Sequence, residues 1–318
     1  RLQLRFSDDQ NVVLANLLAG EAHVAMDSAI PQVPEALMQQ WSSTGAGTIF
    51  SSPSQLQYMG FQLRPEMANP RAVLDPRVRK AFAHAVDKQA ISDAIYGGQA
   101  VLSDTPVCPC SEWGAAMDAS VTRYPYDPRA ADGLLNQAGI SKGPDGFYRG
   151  PDGRISPDMA ITEDPDSVRQ IVVMADLLRG LGLDAQQRVI PRALAQDAET
   201  RATFPALQLI GVGLGEIVLQ INGSSEIPSA ANHWVGFNRG AWASPEYDRL
   251  LGLFNTTLER RDRLELVRQM LRVYSEETPS FGMFFRGQAF AFISAVKGPT
   301  LVAPEANIPW NIYAWEFN

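Results

Sequence analysis

Histidine and cysteine are scarce in this chain, with three of the first and two of the second among 318 residues. His23, His84 and His233 are scattered, so no metal-ligand spacing arises, and neither a metal nor another cofactor is expected. Cys108 and Cys110 sit in the loop Pro106-Val-Cys-Pro-Cys. A bridge from i to i+2 asks for a Cα separation and Cβ directions that look wrong for this spacing, so two unpaired loop cysteines are expected. Long apolar runs are missing as well. The most apolar stretch, 204–221, is broken by Gln208, Glu216, Gln220 and three glycines, which suits a buried strand and turn better than a membrane span. The opening Arg1-Leu-Gln-Leu-Arg-Phe has no leader character and reads as a strand, so any export signal is expected upstream. There is no internal repeat and no low-complexity tract.

Catalytic signatures are absent too. No Gly-x-Ser-x-Gly elbow and no His-Glu-x-x-His pair occurs, and the adjacent carboxylates Asp8-Asp9 and Glu276-Glu277 fall near helix ends, where caps and solvated faces account for them. Gly211-Val-Gly-Leu-Gly215 lacks both the dinucleotide spacing and the Lys-Ser/Thr of a phosphate loop. It reads as a flexible turn at the edge of a cleft. The 27 basic and 35 acidic residues leave a net charge of −8, which argues against nucleic acid or a membrane surface as partner.

What is present is a globular α/β pattern, 45% hydrophobic and 19% charged. Strand, helix and strand alternate at Leu2–Phe6, 9–18 and 22–26, the grammar of an α/β fold. Asp75-Pro76 opens the best helical stretch: Val78, Ala81, Phe82, Ala85 and Val86 form one stripe, Asp87 restarts a second helix, and Gly97-Gly98 end it. The same start recurs at Asp127-Pro128, Asp164-Pro165 and Ser244-Pro245. Two Pro-Asp-Gly turns around Phe147 and Tyr148 predict a small hairpin. Strands are expected over 158–162, 206–210 and 280–293, and a long amphipathic helix over 258–274. Trp113, His233-Trp234, Phe237, Trp242 and Trp310 fall in or beside loops, where they either wall a ligand pocket or pack beneath the loops.

Asp75-Pro-Arg-Val-Arg-Lys-Ala-Phe-Ala-His-Ala-Val-Asp-Lys-Gln-Ala-Ile resembles the signature of the extracytoplasmic solute-binding proteins, family 5, the peptide- and nickel-type binding components of ABC importers. Tyr126 to Gly139, Phe237-Asn-Arg, Ser244-Pro-Glu-Tyr-Asp, 261–279 and Val296-Lys-Gly resemble further segments of that family in the same order, and Gly20-Glu-Ala-His-Val-Ala resembles another, with His23 where Asp is usual. The resemblance implies a class II periplasmic-binding-protein-like α/β fold from which an N-terminal part of lobe I is missing. Residues 1–71 would belong to lobe I, 72–285 to lobe II, and 286–318 to the return into lobe I. It also implies a protein that closes two lobes over a peptide or other small solute without turnover and delivers it to permease subunits. Such a protein would be a monomer, located outside the cytoplasm and tied to the membrane only through an upstream anchor. Peptide binders of the family hold the ligand's amino terminus with an Asp in the loop after the strand at 206–210. Here that loop carries Glu216 instead, which either substitutes or marks a ligand without an ammonium group. Trp113, Trp234, Asn238 and Arg239 lie in segments that border the cleft in relatives, and with Glu216 they are the candidate ligand contacts. A sensor domain of a transcriptional regulator built on the same fold, and a hydrolase, are the alternative functions.

Overall fold

A computed structural model describes residues 2–318 apart from 8, 31–34, 118–120 and 302–307. In chain order its elements are α1 (Gln10–Leu18), β1 (Val24–Ile30), α2 (Glu35–Thr44), β2 (Gly47–Phe61), α3 (Pro76–Ala85), α4 (Lys88–Tyr96), β3 (Val101–Leu102), α5 (Pro128–Gln137), β4 (Ser141–Lys142), β5 (Tyr148–Gly150), β6 (Gly153–Arg154) and β7 (Asp158–Thr162). They continue with α6 (Pro165–Gly180), β8 (Gln186–Ile190), α7 (Ala198–Ala202), β9 (Leu207–Gly213), α8 (Ile217–Gln220), α9 (Pro245–Thr256), α10 (Arg260–Glu277), β10 (Ser280–Ile293), β11 (Val296–Lys297) and β12 (Glu316–Phe317). The chain forms two compact units, one of Arg1–Gln55 with Phe285–Asn318 and one of Leu56–Phe284.

In the first unit, Asp9 caps α1 by accepting from Asn11 N at 2.8 Å, and α1 packs on β1. β1 runs antiparallel to the end of β10, with Val24 opposite Phe292 and Ala25 opposite Ala291. Leu17, Leu37 and Trp41 are buried against Ala289 and Ala291, while Phe290 and Phe292 pack with Trp315. The alternation over Leu2–Phe6 does not make a strand. Leu2, Leu4 and Phe6 are all exposed, Phe6 at 94%, and among the described residues no neighbouring strand takes their backbone groups; period-two alternation forms a strand only where a partner exists.

The second unit is built on strands in the order β10-β2-β9-β7-β8, with β3 added beside β10. β7 is parallel to both β8 and β9, pairing Ile161 with Val189 and Met159 with Leu207. The connections between these strands carry helices, and α6 packs on β7 and β8. The aspartates that open helices cap them. Asp75 Oδ1 accepts from Arg77 N and Asp127 Oδ1 from Arg129 N and Ala130 N, each ahead of a proline, and Asp87 Oδ1 accepts from Ala90 N at the start of α4. The Arg77 guanidinium beside Asp75 holds its carboxyl below the usual range. The hairpin expected around Phe147 and Tyr148 is β5–β6, joined on its other side by β4. Met59, Phe61, Phe82, Met159, Ile171, Leu207, Met283 and Phe284 lie at the centre of the core.

A buried cation helps to hold this unit together. Arg79 is buried on α3, and its guanidinium donates only to backbone carbonyls: Val73, Leu74, Glu277 and Thr278. Burial lowers its pKa to about 10, and Asp75 and Glu277 oppose that shift. These bonds fasten the turn between α10 and β10, where Thr278 takes a left-handed φ of 50°, to the segment before α3. Arg79→Met removes the donors and strands the carbonyls, so we expect a loss of about 3 kcal/mol in urea unfolding. A change below about 0.5 kcal/mol would show that the bonds add nothing.

Candidate functional site

The carboxyl ends of β7, β8 and β9 point the same way, and in open α/β sheets that edge is where ligands bind. Glu163 follows β7: its N donates to Ile190 O at 2.9 Å, and its Oε2 accepts from Arg192 N at 3.2 Å, locking the ends of β7 and β8 together. Asp164 caps α6 by accepting from Ser167 N at 3.2 Å. β9 extends through Gly213, so part of the glycine run expected as a turn is strand, and the chain then turns into α8 at Glu216.

Trp113 and Glu216 meet through a residue the sequence did not single out. Arg263, on α10, pairs with Glu216 Oε1. Its guanidinium lies over the Phe254 ring at 4.0 Å and the Trp113 ring at 5.3 Å from their centroids. Trp113 is only 3% exposed and meets Phe254 edge-on at 5.5 Å. Among the described residues, its Nε1 and the Nε of Arg263 are buried without an acceptor. The loop that carries Trp113 is cross-tied by a disulfide between Cys108 and Cys110, which corrects the expectation of free thiols. The Pro109 turn, closed by Ser111 N donating to Cys108 O at 3.0 Å, brings the two Cα atoms to 5.1 Å, inside the range a bridge needs.

Trp234, Asn238 and Arg239 share a second loop. Asn238 is buried, and its Nδ2 reaches the carbonyls of Asn222, Gly223 and Trp242 while its Oδ1 accepts from Trp242 N at 3.0 Å. Its amide is thus engaged with the backbone and ties this loop to the segment after α8. Arg239 is half-buried, and its carbonyl accepts from the buried Arg64 at 2.8 Å. Trp234 is half-buried and follows His233 in the left-handed region, with φ of 60° and 56°. A bulky side chain holds such a conformation only where its surroundings impose it. Trp234 N donates to Ser229 O at 2.8 Å, and Ser229 and Asn232 cap one another. Gly236, with φ of 133°, is required next, because a Cβ there would collide with the Glu226 carbonyl. Among the described residues no hydrogen bond or ring contact joins Trp234 to the Glu216 group.

The other loop aromatics divide. Trp242 is buried, and its Nε1 donates to Glu277 Oε2 at 2.8 Å, so Glu277 holds a tryptophan and the Ser244 hydroxyl. Trp310 and Phe237 are exposed. Among the described residues no group of three His, Cys, Asp or Glu side chains could hold a metal ion, and no helix is long and apolar enough to cross a membrane.

Residues 1–213 match the family described as bacterial extracellular solute-binding proteins, family 5 middle. The chain belongs to that family. Its curated relatives include the dipeptide-binding protein of Escherichia coli strain K12, 44% identical over 69 residues, which are 22% of this chain and 12% of the relative. Di/tripeptide-binding protein 2 of Pseudomonas aeruginosa is 23% identical over 210 residues, covering 64% of this chain and 36% of its own length. Among solved structures, NikZ of Campylobacter jejuni in complex with Ni(L-His) matches 97% of this family 5 chain at 21% identity, with a TM-score of 0.75. The oligopeptide binding protein of Thermus thermophilus, complexed with a pentapeptide, matches 98% at 19% identity, with a TM-score of 0.77. The chain spans 60% and 56% of those two structures. The fold is the class II periplasmic-binding-protein type expected from the sequence, and family and fold are those of binding proteins rather than enzymes.

Glu163, Arg192, Arg263 and Arg64 escaped the sequence reading. For the first two a signal existed, since each follows a β-branched stretch at a strand end; the two others look like ordinary surface cations in sequence. Asn238→Ala strands three carbonyls and one amide, so we expect it to cost about 3 kcal/mol in chemical unfolding. A cost under about 0.5 kcal/mol would return Asn238 to the pool of side chains free for ligand.

Proposed function

We propose that this chain is part of the ligand-capturing component of an ABC importer, taking a peptide or other small solute outside the cytoplasm and delivering it to permease subunits. Family membership over residues 1–213 is the observation that carries this reading. We take the unit of Leu56–Phe284 as lobe II, so that the lobe divisions expected at 71 and 286 become 55/56 and 284/285. Its wall of the binding site would be the carboxyl edge of β7, β8 and β9 with the loops bearing Glu216 and Trp234. The strained backbone at Trp234 supports a ligand-facing role for that loop, since strain of this kind collects at binding sites. The Cys108–Cys110 bridge supports an oxidising compartment. Turnover has no support here: the caps Asp75, Asp87 and Asp127 and the Trp242 partner Glu277 are carboxylates with structural duties.

The test is a thermal-shift screen of the complete protein against di- and oligopeptides, sugars and metal complexes. A true ligand at 100 times its dissociation constant adds about 2.7 kcal/mol to native stability and raises the midpoint by several degrees. Hydrolysis of a peptide or ester during the same incubations would contradict the capture reading.

A further inference from the structure

Glu216 stands just past the end of β9, where a lone carboxylate at the rim of a binding site would attract an ammonium group. In this chain that carboxylate already has a cation. Arg263 pairs with it, and the rings of Phe254 and Trp113 hold the guanidinium in place, both of them buried. The Arg263 side chain is 23% exposed and Glu216 42%, so the pair meets solvent mainly on the carboxylate side. Neighbouring charges are matched in the same way. Arg260 lies 3.8 Å from Glu112, beside Trp113, and Arg268 pairs with Glu265 at 2.8 Å. What the cluster has in excess is donors: among the described residues, Trp113 Nε1 and Arg263 Nε are buried without acceptors.

From this we infer that Arg263 neutralises Glu216 and makes this rim take a solute whose facing end carries no free ammonium group. The inference rests on reading the second unit as one wall of the binding site. An approaching ammonium meets a carboxylate whose charge the adjacent guanidinium already offsets, so the net attraction is weakened and its lost hydration is poorly compensated. A carbonyl or a blocked amine carries no charge and gives up far less hydration there.

Two probes separate the possibilities: alanyl-phenylalanine and its N-acetyl form, titrated calorimetrically into the complete protein. In the unmodified protein the acetylated probe should bind at least as tightly as the free amine. Arg263→Met unmasks the carboxylate and should improve binding of alanyl-phenylalanine at least tenfold relative to the acetylated probe. Glu216→Gln, at a more exposed position that tolerates the change, leaves the guanidinium unpaired and should weaken alanyl-phenylalanine relative to the acetylated probe. The inference is overturned if the unmodified protein prefers the free amine tenfold and Glu216→Gln removes that preference alone. It is equally overturned if a folded Arg263→Met shows no gain. Failure of the capture reading looks different: no solute in the thermal-shift screen moves the midpoint of any of these proteins.

Discussion

Burying a guanidinium is costly unless its donors find acceptors, and the second unit supplies them to both terminal nitrogens of Arg64 without a carboxylate. Arg64 donates to Gln62 Oε1 and to the carbonyls of Ala202, Pro228 and Arg239. Burial lowers its pKa and nearby Glu66 opposes the shift, so the carbonyl dipoles are what keep the charge tolerable. The consequence is architectural. The end of β2, the end of α7 and the loop from 228 to 239 converge on one side chain, and that loop carries Trp234, Asn238 and Arg239. Asn238 extends the arrangement to Asn222, Gly223 and Trp242, and so to the segment after α8. Arg79 does the same between α3 and the turn into β10.

Helix boundaries were legible because Asp followed by Pro leaves little freedom, the cap, the fixed φ and the missing donor agreeing with one another, whereas at Ser244-Pro245 the proline acts without a side-chain cap. The helices at Pro76, Pro128, Pro165 and Pro245 begin where that chemistry puts them. The long strand β2 was not legible. Its buried half, 56–61, reads Leu-Gln-Tyr-Met-Gly-Phe, covered on both faces, so the alternation that reveals a half-buried strand is lost. At Leu2–Phe6 the reverse holds, a strand-like alternation without a partner strand.

The site shows a similar division. Trp113 and Glu216 were found by residue type and neighbourhood, but what joins them is Arg263, which sits in Arg260-Arg-Asp-Arg-Leu-Glu-Leu-Val-Arg, a run that looks like a solvated helix face. Only the approach of α9, bringing Phe254, and of the disulfide-tied loop, bringing Trp113, turns that arginine inward in chemical terms. Asn238 is the opposite case: a polar loop residue that looks available in sequence, yet is engaged with backbone.

On this account the loops of the second unit proposed to face the ligand are built before any ligand arrives, by side chains that satisfy backbone carbonyls. Amide hydrogen exchange on the complete, ligand-free protein tests it most directly, comparing unmodified chain with Arg64→Met. The account predicts slow exchange across 222–244 in the unmodified protein and an acceleration of tenfold or more over that segment in the variant, with β7 and β8 unchanged. Rapid exchange of the segment in both proteins, or equal protection in both, would contradict it.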